Sequence, residues 1–495
     1  MGASGYSLLR PQRGITALPA VRNRPEVATR RYLTAGRELL IQVILVAFPS
    51  MGLVSAGHLH LAALWMWGLT GVMSLRLVLL GRPEELGCLL IATAPVVNFL
   101  RGAMLYSGVP VLYLGAVAYF ALTAPAKTWE VARRNPAALI LFAASFIYYV
   151  ASAWVTADPR NNIRVFEMAG AVVIILLIGP PKRGLAATLV GTLVSSLAVG
   201  IGAYAFIGSE ANERLGIVLT EEGAVGNPFA LGMPLALGVL ALCVDGGSWL
   251  GMQRRPWLRI TLLVPTLFLL AQSSSRAGQL AAIAGLVAAA VLSRSNRFAI
   301  IAWLAGIALA GFVLLQFAFA SSFQREFERT FGEGRTLERA SSGRSDQWHT
   351  FWHAWTDNPV NFLVGYGIGS EREVNASVSA RVSQTSHAGA RLDFHALAMH
   401  IGIEFGLLGL LFLLLWTSLV AWRCVRRGRA TGVILPACCL LAYLIGALTA
   451  SGFDTVSGML LGVGLLRTGL LRNLPGTHPR QTGGAGLPGP SPAAI

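Results

Sequence analysis

Stretches of about 20 apolar residues with few charges recur along this sequence, and that recurrence limits the possible fold more than any other feature. Roughly 20 residues carry a helix across the hydrocarbon layer of a bilayer. Lipid offers the backbone no hydrogen-bond partner, so each stretch must satisfy its own amides and carbonyls as a helix. The strict alternation of a membrane barrel strand is missing. Composition agrees, with 54% of residues hydrophobic and 13% charged, about half the charged share of a soluble domain. The expected fold is all-α: a polytopic integral membrane protein of about 12–14 transmembrane helices. The spans fall near 39–56, 61–80, 86–100, 109–124, 136–155, 166–180, 185–207, 227–244, 259–273, 277–293, 298–319, 396–420, 431–450 and 455–471. The third, ninth and tenth are short or broken by polar residues, and Ser273-Ser274-Ser275-Arg276 marks a tight hairpin between the last two of these.

A net charge of +16 would suit nucleic acid, but its distribution argues for topology. Arginines crowd the leader (Arg10, Arg13, Arg22, Arg24, Arg30, Arg31, Arg37) and, from the fourth span on, every second connection, as at Lys182-Arg183 and Arg423 to Arg429. That is the positive-inside bias, which places both termini in the cytoplasm. The connection at Arg82, which also holds Glu84 and Glu85, fits less well, as do Arg160 and Arg164. The long connection 320–394 then lies outside, and its eight arginines nearly balance its nine acids. Five segments are expected: a basic cytoplasmic tail (1–38), a transmembrane helical domain (39–319), a large periplasmic loop (320–394), C-terminal transmembrane helices (395–472) and a disordered Pro- and Gly-rich cytoplasmic tail (473–495). No cleavable signal is expected, the first span serving as an uncleaved one. None of the five cysteines falls in the outer loop, which speaks against disulfides or thiolate zinc there.

Polar groups gather in two outer places: the short loop 208–226 and the long loop. The first part of the long loop, about 321–340, has the pattern of a charged amphipathic helix lying on the membrane surface. Then come Gly343-Arg344 and Trp348, an aromatic run through Trp355 that looks helical, and Asn358-Pro359, which ends it because the residue before proline avoids helical angles. Gly365-x-Gly367-x-Gly369 reads as a turn; spaced glycines can also form a nest for phosphate oxygens. His349 and His353 have the spacing of a helical zinc pair, yet lack an HExxH glutamate and a third ligand, which favours packing. His395 opens the twelfth span, where an imidazole at the membrane surface suits proton transfer, although interfacial histidines are more often structural. His400 is either a partner of His395 or a packed span histidine.

Gly343-Arg344-x-x-x-Trp348, Asp357-Asn358-Pro359, Gly365-x-Gly367-x-Gly369, and His395 followed at nine residues by Glu404-Phe405-Gly406-Leu407-Leu408-Gly409 together resemble the O-antigen ligase and O-antigen polymerase family. Arg214 ahead of Asn227-Pro228, and Ser275-Arg276, extend the likeness over roughly 205–420. The asparagine usual after the histidine is Ala396 here; His387, Asp393 or His400 would have to replace it. The resemblance implies a GT-C-like membrane glycosyltransferase of the bacterial inner membrane with a periplasmic active site. It implies a glycan donor on undecaprenyl diphosphate, an acceptor sugar hydroxyl such as one of lipid A-core, and no cofactor or metal. His395 would be the catalytic base; Arg214, Arg344 and, third, Arg276 would bind the diphosphate; Glu404, His400 and Trp348 would support them. A ligase is the leading reading. A polymerase of O-antigen, capsule or exopolysaccharide repeats, acting on a growing glycan, follows closely, and a polysaccharide transporter or flippase is the alternative from another class.

Overall fold

The structure, a computed structural model, describes residues 25–80, 82–100, 144, 147, 148, 151, 181–207, 218–220, 223–225, 228–244, 256–273, 275–293, 344–382, 396–432 and 434–447. These hold α1 (Pro25–Ser55), α2 (Leu59–Leu79), α3 (Pro83–Leu100), α4 (Pro181–Ile207), β1 (Val218–Thr220), β2 (Gly223–Val225), α5 (Pro228–Val244), α6 (Pro256–Gln272), α7 (Arg276–Leu292), α8 (Arg344–Thr356), α9 (Pro359–Val364), α10 (Glu371–Val382), α11 (Leu397–Thr431) and α12 (Leu435–Ala447). Helices α1 to α7, α11 and α12 each overlap one of the expected spans. The spans near 109–124, 166–180, 298–319 and 455–471, and the amphipathic stretch 321–340, lie outside the described residues.

The all-α expectation needs one correction. Within the loop 208–226, β1 and β2 pair antiparallel, with Val218 opposite Val225 and Thr220 opposite Gly223. A segment too polar to form a span closes its backbone hydrogen bonds as a short hairpin.

Among the described residues, three helices are long and apolar enough to cross a membrane: Gly36–Ser55, Leu59–Leu79 and Leu397–Ala430. Six further apolar helices are shorter. The outward faces of the long ones carry Ile41, Ile44, Phe48, Leu61, Leu64, Val72, Leu75, Leu411, Leu414 and Leu415, all exposed. Apolar side chains shown to the surroundings on this scale are a membrane's signature, not that of a water-facing surface.

The inward faces form one large core. Helix α4 packs against α1, α3 and α5, and α5 against α7; α7 in turn packs on α12, which rests on α11. Small residues allow close approach: a Cβ added at Gly278 would stand 2.7 Å from the Gly232 carbonyl, so α5 and α7 meet backbone to backbone, as membrane helices do where dispersion replaces the hydrophobic drive. At the other end of α1, Glu38 lies 3.5 Å from Arg76 and 3.7 Å from Arg82, which also reaches Glu85. Glu85, one of the two acids that disturbed the charge pattern at this connection, therefore sits in a mixed ion cluster.

A second, smaller core joins α8 and α10 to the beginning of α11. Its members are Phe351, Ala354 and Trp355, Val374 and Val378, and Ala396, Met399 and Ile403. Each set repeats at three or four residues, one face of a helix. Trp355 stacks on Phe351 at 5.3 Å, and Asn358 ends the aromatic run and caps α9 by accepting the Val360 N–H.

Helix α11 contributes to both cores, with Leu397, Val420 and Cys424 in the first and Met399 and Ile403 in the second, and it is broken. At Gly406 the backbone takes φ 62 and ψ −160, a region reserved for glycine. A Cβ there would lie 2.5 Å from the Leu363 carbonyl and 2.6 Å from the Gly365 amide. In a continuous helix the carbonyls of Ile403, Glu404 and Phe405 would be taken by amides four residues on. Here they accept from the Tyr366 N–H at 2.8 Å, the Gly367 N–H at 3.0 Å and the Tyr148 hydroxyl at 3.0 Å. The same hydroxyl stands 2.8 Å from the Val364 carbonyl.

Two stability measurements on the full chain in detergent follow from this break. Gly406→Ala meets backbone strain of about 1–3 kcal/mol plus overlap with α9, and is expected to lower Tm clearly more than Gly432→Ala. Gly432 also has positive φ (70), but a Cβ there meets nothing within 4 Å, leaving strain of only about 1–2 kcal/mol. Tyr148→Phe removes one hydroxyl that serves two carbonyls and is expected to cost about 1–3 kcal/mol.

Candidate functional site

The motif residues converge on the break in α11. Gly365, Gly367 and Gly369 all have positive φ (79, 94 and 78), a conformation that residues with a Cβ rarely adopt. They bend the chain from α9 into α10 so that its amides point at α11. The Tyr366 and Gly367 amides bond to α11 backbone, and the Gly369 N–H donates to Glu404 Oε1 at 2.7 Å. The segment is therefore a turn fastened to α11; the amides of residues 366, 367 and 369, which a phosphate nest would need, are spent inside the fold. Tyr366 also donates its hydroxyl to the Ala354 carbonyl at 2.7 Å, tying the turn to α8. Ser370 closes it through the Gly367 carbonyl.

Beneath the turn lie three buried ionisable groups: Glu371 at the first position of α10, and His400 and Glu404 one helical turn apart on α11. His400 Nδ1 pairs with Glu371 Oε2, and His400 Nε2 is 3.2 Å from Glu404 Oε2. The angle at this second contact is too poor for a hydrogen bond, so it is an ion pair by distance. Both ring nitrogens thus face a carboxylate, and neither is left to address His395. Among the described residues these are the one group of three or more metal-type donors whose ligand atoms lie within 4.8 Å of one another. An ion can take only one nitrogen of a ring, and here the two carboxylates attend different nitrogens. As arranged, the group is a carboxylate–imidazole–carboxylate bridge.

Of the residues expected at the site, His395 and Arg214 lie outside the described residues, as do His387 and Asp393. Arg344 opens α8, with only its helical position described. Trp348, one turn on, is 47% exposed and edge-on to Phe351, at the rim of the small core. His349 and His353 lie ring against ring with centroids 4.5 Å apart on the exposed face of α8. Arg276 is half-buried at the first position of α7, just after Ser275, whose side chain caps the helix by accepting the Gly278 N–H. Gly446 near the end of α12 lies beside Met233 and Ala277, and a short connection returns α11 into α12. The beginnings of α5 and α7 therefore lie beside the end of α12.

Two residues of this arrangement carried no mark in the sequence. Glu371 is one of nine acids in the long connection, and only the turn before it buries it. Tyr148 lies more than 200 residues away and belongs to no motif.

Residues 261–414 match the family model described as O-Antigen ligase. The matched stretch holds less than half of the chain, and takes in Arg276, Arg344, Trp348, the glycine turn, His395, His400 and Glu404 while leaving out Arg214. No curated protein matches the chain. Residues 261–414 are thus similar to the O-antigen ligase family, in a chain with helices long and apolar enough to cross a membrane.

Proposed function

We propose that this chain is an O-antigen ligase-like glycosyltransferase of the inner membrane. It moves a glycan from undecaprenyl diphosphate to a sugar hydroxyl, such as one of lipid A-core, on the periplasmic side. One observation carries this reading. Within the matched stretch, the aromatic helix α8, the glycine turn and the Glu404-Phe405-Gly406 segment are joined to one another around the break at Gly406. The packing of α8 and α10 on the start of α11 supports a compact outer unit within 320–394, with both termini in the cytoplasm as the arginine distribution indicates.

The chemistry needs few groups. The acceptor oxygen attacks the anomeric carbon from the face opposite the diphosphate. The new glycosidic bond forms as the bond to the diphosphate oxygen breaks, so configuration inverts. His395 takes the hydroxyl proton, and undecaprenyl diphosphate leaves with the bonding electron pair. Arg214, Arg344 and Arg276 hold the diphosphate through paired, charge-assisted hydrogen bonds and offset the negative charge that grows on the leaving oxygen. With such a leaving group the reaction is metal-independent in this reading.

Purified protein in nanodiscs, given an undecaprenyl-diphosphate-linked repeat with or without lipid A-core, tests the reaction. Product on lipid A-core alone supports ligase; chains that lengthen without it identify a polymerase; no transfer under either condition removes the enzyme reading. His395→Ala is expected to slow transfer about 10²-fold or more while donor binding stays; unchanged transfer would remove the base assignment. Arg344→Lys is expected to weaken donor affinity about tenfold, because an ammonium cannot reproduce the paired donors of a guanidinium.

A further inference from the structure

We propose that Glu371, His400 and Glu404 form a positioning clamp that fixes the start of α11, and with it the residue from which the proposed base projects. The inference rests on the glycosyl-transfer reading for its role in catalysis, but the clamp itself stands on geometry. The break at Gly406 separates Leu397–Phe405 from the long remainder of α11, so these nine residues gain no rigidity from a continuous helix. Ala396 opens them in an extended conformation (φ −132, ψ 134) with no side-chain cap. Its carbonyl accepts the His400 N–H at 3.0 Å. His395 is the residue immediately before Ala396.

The bridge ties this short segment to its neighbours, beside the packing of Ala396, Met399 and Ile403. His400 reaches Glu371 across to α10 on one side and Glu404 one turn along α11 on the other. Glu404 then fastens the glycine turn twice, through its carboxylate to the Gly369 N–H and through its backbone carbonyl to the Gly367 N–H. Three buried ionisable residues are an expensive way to fill space, since apolar side chains of similar volume generally pack more stably. Paired polar groups instead allow one register between the segments they join. The clamp therefore specifies where the α11 start sits against α10. Proton transfer needs that, because a displacement of about 1 Å can cost about a hundredfold in rate.

The test uses the full chain in nanodiscs with the lipid-linked donor and an accepted acceptor. It compares Glu371→Ala and Glu404→Ala with Glu371→Gln and Glu404→Gln. Readouts are kcat, KM for the donor, hydrogen exchange of peptides covering 365–371 and 396–405, and divalent metal content. The alanine variants are expected to lose about tenfold to a hundredfold in kcat with donor KM within about twofold, and to exchange faster in both peptides together. The glutamine variants are expected to recover to within about threefold, since an amide keeps the shape and can both accept the Gly369 N–H and donate to the ring. Where an alanine variant does not fold, Glu371→Asp or Glu404→Asp, which keeps the charge but withdraws it by one methylene, replaces it with the same expectations. The clamp is overturned if exchange is unchanged, or if kcat is retained although exchange rises. It is also overturned if the glutamine variants are as damaged as the alanine ones and lose a copurifying divalent ion, which would make the group a metal site. If the unaltered chain transfers no glycan, the function reading fails alone, because the exchange experiment still decides whether the clamp exists.

Discussion

The arrangement of this protein depends on a helix that stops being one at Gly406. A broken helix in apolar surroundings leaves carbonyls that water cannot reach, and each costs several kcal/mol unless a donor is supplied. The chain supplies three from outside the helix: two amides of the glycine turn and the Tyr148 hydroxyl. The break and the turn are therefore a single feature. Gly365 and Gly406 approach so closely that neither tolerates a Cβ, and each has a backbone conformation that only glycine adopts readily.

The helices build two cores. The bundle core is made mostly of small and aliphatic residues on apolar helices. The small core of α8, α10 and the α11 start is aromatic, is edged by Trp348 and Trp352, and contains the ionisable groups. Because α11 contributes to both, the polar unit is anchored to the membrane helices by a covalent backbone while keeping its own packing. Had α11 run straight through, its first turns would have continued the direction of the bundle, and the glycine turn would have found no free carbonyls to hold.

Much of this was legible beforehand, for reasons that differ between parts. Helices α1 to α7 could be read because a long apolar stretch closes its own backbone hydrogen bonds as a helix, so length and hydropathy sufficed to place helices there. The end of α8 could be read from Asn358-Pro359, and the hairpin at Ser273 to Ser275 from its serines. The break in α11 could not: Gly406 sits in Glu-Phe-Gly-Leu-Leu-Gly, where Gly409, three residues on, stays helical. Nothing local separates a glycine chosen for helix packing from one chosen for its backbone angle; the difference lies in α9, more than 40 residues earlier. The spaced glycines showed the same ambiguity. Their positive φ values fit a phosphate nest as well as a turn, and the choice falls to the partners of their amides, which are protein groups.

His400 stood either as a partner of His395, because a little over one helical turn separates them, or as a packed span histidine; Glu371 had no mark of its own. The His400 ring is held between Glu371 and Glu404, and the proposed clamp acts on residue 395 through the Ala396 carbonyl and the first turn of α11. That proposed route suits the departure at Ala396. A family asparagine beside the histidine can orient it directly through a side-chain hydrogen bond; an alanine cannot, and Ala396 is instead buried in the small core. In the proposed clamp the imidazole is held by fixing the peptide that carries it. The bridge, the glycine turn and the packing of Ala396, Met399 and Ile403 all act on that same stretch of backbone.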